Sequence, residues 1–133
     1  MSLMVSGLYA GLTGLLFLVL AYRVVRLRRK FKIGLGSADN AALELAIRVH
    51  GNLLENAPMA LLLLMLAEAN GLSQPYLHAL GSLWLVARLL HVIGLNLGRG
   101  GYHFGRFWGV LLTWTVILTL VVINLVISMA TLA

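Results

Sequence analysis

Apolar residues come in four long runs, and polar residues are confined largely to the intervals between them. The first run, Met1 to Tyr22, contains no charged residue and predicts a spanning helix over about residues 2–24. A spanning helix needs about 20 mostly apolar residues. A cleaved leader would carry its cations before the apolar run, whereas here Arg23 follows it, so the helix reads as retained. Gly7 and Gly11 form a GxxxG pair, with Gly14 one turn on, a spacing that lets membrane helices approach closely. Arg23–Lys32 continues that helix out of the bilayer, and Gly34, Gly36, Ser37 and Asp39 break it. Further spans are expected over 43–68, 74–97 and 107–131, all in one domain covering 1–133. Pro58 is expected to kink the second or loosen one of its backbone bonds, Ser73 is a candidate N-cap for the third, and Gly98, Gly100 and Gly101 separate the third from the fourth.

Composition narrows the solvent. Hydrophobic residues are 61% of the 133 and charged residues 11%, too few charges to cover a water-soluble surface. The chain has no cysteine, which excludes disulfides, thiolate metal sites and a cysteine nucleophile. Net charge is +6, yet six of the ten basic residues fall between Arg23 and Lys32. No basic stripe interleaved with aromatics extends beyond that segment, so nucleic acid is not an expected partner. The two loops that hold cations carry eight, and the other loop and both termini carry none. The positive-inside rule then places both basic loops in the cytoplasm and both termini outside. Tyr102, Phe104, Phe107 and Trp108 read as an interfacial aromatic belt.

The informative residues are charges inside the spans. Arg48, Glu55 and Arg88 facing lipid would together cost about 8–10 kcal/mol on the insertion scale. Glu44, Arg48, Asn52 and Glu55 recur at i, i+4, i+8 and i+11, a ridge within about 80° of arc on the second helix. His50 falls on the opposite face and reads as an interior histidine. Arg88 and His91 share a face of the third helix, while Arg26 and Arg106 end the first span and begin the fourth on the same side. Mutual neutralisation of Arg48, Glu55 and Arg88 would satisfy these charges without any ligand. A binding reading fits as well: four arginines against few carboxylates favour an anionic guest, since the planar guanidinium pairs two-fold with carboxylates. Glu55 and Asn52 suit an amine and amides. A small zwitterionic peptide carrying a thiol would meet that inventory, and a neighbouring arginine would raise its thiolate fraction.

The stretch Arg48-Val49-His50-Gly51-Asn52-Leu53-Leu54-Glu55-Asn56-Ala57-Pro58 resembles the second-helix signature of the membrane-associated proteins in eicosanoid and glutathione metabolism, the MAPEG family. Val25-Arg26-Leu27-Arg28-Arg29-Lys30 resembles the end of that family's first helix, and Arg88-Leu89-Leu90-His91 its third-helix motif. The nearest likeness is to small bacterial inner-membrane members. The resemblance implies an all-α integral membrane four-helix bundle assembled as a homotrimer, with glutathione bound between subunits towards the cytoplasm. It implies that Arg26, Arg48, Asn52, Glu55, Arg88 and His91 hold glutathione as co-substrate and that Arg106 is catalytic, stabilising the thiolate. Hydrophobic small molecules and membrane lipids are the other expected partners, and no metal is expected. Asn56 and Leu95 stand where other branches carry tyrosine, Phe107 where one carries serine, and Tyr102 is a candidate substitute for a lost hydroxyl. The function expected is a glutathione-dependent transferase or peroxidase acting on membrane-dissolved electrophiles. The alternative is a non-catalytic lipid- or partner-binding protein of the same architecture. A small four-helix exporter is a third reading, but such exporters carry a glutamate in a first span that is uncharged here.

Overall fold

The computed structural model describes residues 3–132. The expected start of the first span at residue 2 and the last uncharged residue, Ala133, lie outside the described residues. Four helices form: α1 (Met4–Phe31), α2 (Ala41–Ala69), α3 (Gln74–Leu97) and α4 (Phe104–Leu132), with no strand among the described residues. All four are long and apolar enough to cross a membrane. Helices answer the bilayer's demand that every backbone polar group be satisfied within the segment. The 28 residues of α1 rise about 42 Å, more than the roughly 30 Å of hydrocarbon, so its basic last turns project beyond the core. The protein is an all-α four-helix membrane bundle.

Helix ends are settled by local chemistry. Lys32 adopts a left-handed conformation after α1, and Arg28 Nη1 donates to the Gly36 carbonyl at 3.0 Å, tying down the loop that follows. Asn40 caps α2 by accepting from the Leu43 amide at 3.0 Å. Ser73 occupies the N-cap position of α3 but makes no side-chain cap bond. Leu3, at the N-cap of α1, offers no side-chain acceptor; Glu68 near the end of α2 supplies acceptors for two of the first amides. Its carboxylate accepts from the Val5 amide at 2.9 Å and the Ser6 amide at 2.7 Å. An anion at a helix N-terminus also complements the macrodipole. α2 runs unbroken through Pro58.

The helices pack as a rhombus. α2 and α3 each touch all three other helices, while α1 and α4 do not meet. α2 buries Leu43, Ala46, Val49, Leu53, Ala57, Ala60, Leu64 and Ala67, a stripe of three- and four-residue steps. On α3, Trp84 is 1% exposed and donates through Nε1 to Thr13 on α1 at 3.0 Å. Tyr9 packs its ring on Gly81 and reaches His78 and Ser82 with its hydroxyl. α3 and α4 approach most closely because glycines line their seam. A methyl on Gly94 would run into the backbone of Gly105 and Arg106, and one on Gly109 would lie 2.5–2.7 Å from His91. Gly7, Gly11 and Gly14 do the opposite of what their spacing suggested within the chain: their faces meet no neighbour within 4 Å.

Gly94→Ala is therefore expected to lower the thermal midpoint in detergent, since overpacking costs about 1–3 kcal/mol. Gly11→Ala, in open space within α1, should not lower the midpoint and should gain up to about 1 kcal/mol from helix propensity. Circular dichroism melts of the two variants beside wild type check the contrast.

Candidate functional site

At the end of the bundle where α1 and α3 finish and α2 and α4 begin, a cleft of about 670 Å³ opens. That lies within the roughly 300–1,000 Å³ typical of small-molecule sites. All four members of the α2 ridge, Glu44, Arg48, Asn52 and Glu55, line it. His91 and Leu95 of α3, Arg99 of the following loop and Arg106 of α4 complete the wall. The i, i+4 spacing explains the shared face on α2. The glycine seam explains how α4 comes near enough for Arg106 to reach the same space.

Of the seven residues that sequence pointed to, five meet at this cleft: Arg48, Asn52, Glu55, His91 and Arg106. Arg88 lies behind the wall rather than on it, 2% exposed. Its guanidinium donates to Asn52 Oδ1 at 3.0 Å, to the Gly109 carbonyl at 3.1 Å and to the Thr113 hydroxyl. Thr113 in turn donates to the Gly109 carbonyl at 2.7 Å, which leaves its oxygen free to accept from Arg88. The Trp84 ring centroid lies 5.3 Å from Arg88 Cζ, a cation–π contact. No acidic group appears among these partners. Arg26 is exposed on α1, away from the cleft. His50 packs against Phe17 with ring centroids 5.1 Å apart, and its Nε2 has no partner among the described residues.

A second cavity adjoins the first. It is an apolar groove of about 430 Å³ on the outer face of α4, walled by Tyr102, His103, Arg106, Phe107, Val110, Leu111 and Trp114. Arg106 is the residue common to both. Its Nη1 donates to the Gly100 and Gly101 carbonyls, at 2.5 and 3.0 Å, and its other guanidinium N–H groups have no acceptor among the described residues. Tyr102 lies in the groove, so the cleft wall at Leu95 has no phenol beside it.

Sequence reasoning missed Arg99 on the cleft wall and Thr113 beneath it. Thr113 could have been found: Gly105, Gly109, Thr113, Val116 and Leu120 repeat every three or four residues on α4.

Residues 6–126 match the family model described as the MAPEG family. The chain belongs to the MAPEG family. Similar proteins include the inner membrane protein YecN of Escherichia coli K12 and its counterpart in Escherichia coli O6:H1. Each is 36% identical over 126 residues, covering 92% of this chain and 91% of the relative. No solved structure matches. For this MAPEG protein the cleft is thus a feature of a chain related along nearly its whole length to bacterial membrane proteins.

Because the chain lacks cysteine, the cleft's hydration can be read directly. Glu44→Cys and Arg99→Cys are expected to react with a water-soluble maleimide in membranes opened to both sides. Trp84→Cys, buried, and Leu118→Cys, 64% exposed on the apolar face of α4, should resist it.

Proposed function

We propose that this protein is a glutathione-dependent transferase or peroxidase acting on hydrophobic electrophiles dissolved in the membrane. The observation that carries the reading is the position of Arg106 on the wall of both the polar cleft and the apolar groove. A thiol peptide in the cleft and a lipid-soluble partner in the groove would meet at one guanidinium. Arg48 offers two parallel donors to a peptide carboxylate, Asn52 a polar amide, and Glu55 an acceptor for the amino group. The free donors of Arg106 suit the thiolate, which is the nucleophile. In transfer, the thiol proton leaves to water, the sulfur forms a bond to the electrophilic carbon, and the leaving group departs with its electron pair. With a hydroperoxide, two thiols are oxidised to one disulfide while the O–O bond is reduced to an alcohol and water.

Arg48 and Glu55, exposed within the second span, support completion of the site by neighbouring subunits in a homotrimer. Charges of this kind are not left against hydrocarbon. The inner-membrane relatives and the cation asymmetry support an inner-membrane protein whose basic loops are cytoplasmic and whose termini lie outside. The apolar character of the groove also favours a second reading, a non-catalytic protein that holds a lipid chain there.

Turnover separates the two. Purified protein should conjugate glutathione to chlorodinitrobenzene, or reduce a lipophilic hydroperoxide, above the spontaneous rate. Arg106→Gln should lower kcat/KM about 10²–10³-fold, as for the loss of one preorganised charge-stabilising donor. Arg48→Ala should weaken glutathione binding about 10–100-fold. Rates that never exceed the uncatalysed reaction, with co-purifying lipid, would establish the second reading.

A further inference from the structure

The Arg88–Asn52 contact decides which way the Asn52 amide faces. A guanidinium has five N–H donors and no acceptor, so the atom that meets it must be the amide oxygen. Arg88 Nη1 lies 3.0 Å from Asn52 Oδ1 and is held there by two further acceptors, the Gly109 carbonyl and Thr113, both on α4. Arg88 is 2% exposed and packed against Trp84, so it has no room to turn away. Asn52 itself lines the cleft, and its Nδ2 has no acceptor among the described residues. The Asn56 amide takes the Asn52 backbone carbonyl, not its side chain, at 2.9 Å.

We infer that Arg88 is a positioning residue that locks the Asn52 amide with its N–H donors turned into the cleft, so that the ligand group met there is a carboxylate or carbonyl oxygen. This rests on the proposed reading of the cleft as the thiol-peptide site and adds a polarity to it. Without Arg88 the amide could turn over and present its oxygen, and the site would lose its preference for an acceptor. A carboxylate at position 52 would be a better partner for Arg88 and a worse one for the ligand. It would accept from the guanidinium with opposite charge, but it has no donor and would repel a ligand carboxylate. Stability and binding should therefore move in opposite directions in one variant, which a merely structural role for Asn52 would not produce.

The experiment compares wild type, Asn52→Asp and Asn52→Ala as full-length protein in detergent, by thermal midpoint and by calorimetric titration with glutathione. Asn52→Asp is expected to melt at or above the wild-type temperature and above Asn52→Ala, while its glutathione affinity falls about 100-fold. Asn52→Ala should lose about 10-fold in affinity. Wild-type affinity in Asn52→Asp would overturn the inference, because the cleft would not need the amide donor. An Asn52→Asp midpoint below that of Asn52→Ala would also overturn it, because Oδ1 would not be Arg88's acceptor. Should wild type bind no glutathione while Asn52→Asp still melts at or above it, the proposed thiol-peptide function fails and the Arg88-locked amide orientation stands.

Discussion

The arrangement of this bundle follows from the burial of one guanidinium among neutral oxygens. A charged group taken out of water and left unpaired is strongly destabilising. Arg88 meets most of that demand through its two terminal nitrogens, with an amide oxygen from α2, a carbonyl and a hydroxyl from α4, and the face of Trp84 from its own helix, while its Nε has no partner among the described residues. Satisfying it binds α2, α3 and α4 to one another at a single depth. The approach is possible because Gly109 lends its carbonyl and has no side chain to hold His91 away. The cleft is the space left in front of that cluster, so its shape depends on the cluster.

Much of this was legible as periodicity. An uncharged first run, a third run with Arg88 and His91 on one face, and the α2 ridge at i, i+4, i+8 and i+11 are all local patterns, and all appear as read. What could not be read were contacts between distant helices. Glu68 looked like a polar residue ending a span, yet it caps α1 through the Val5 and Ser6 amides more than sixty positions earlier. No periodicity links a carboxylate to a backbone amide on another helix. Likewise the glycines misled in one place and were overlooked in another. Gly7 and Gly11 have the familiar spacing and face open space, whereas Gly94, Gly105 and Gly109, spread over two helices, make the tight seam. Arg26 shared an end of the bundle with the cluster but not its face, because it lies on the exposed side of α1 rather than against α2 or α3.

Arg106 gives the molecule its asymmetry. On one side it borders a cleft whose wall carries three arginines counting itself, two carboxylates, an amide and an imidazole; on the other it borders a groove lined mostly by aromatic and aliphatic side chains. Charge at such a boundary acts in a lower effective dielectric than water and so counts for more per unit.

The central claim is that the cleft holds a small acidic thiol and favours its ionised form. Its most direct test is a pair of dissociation constants, for glutathione and for its S-methyl analogue, measured alongside the ultraviolet difference spectrum of each complex. The account predicts tighter binding of glutathione with a thiolate band that the analogue lacks and that Arg106→Gln abolishes. Equal affinities with no thiolate band in either complex would contradict it.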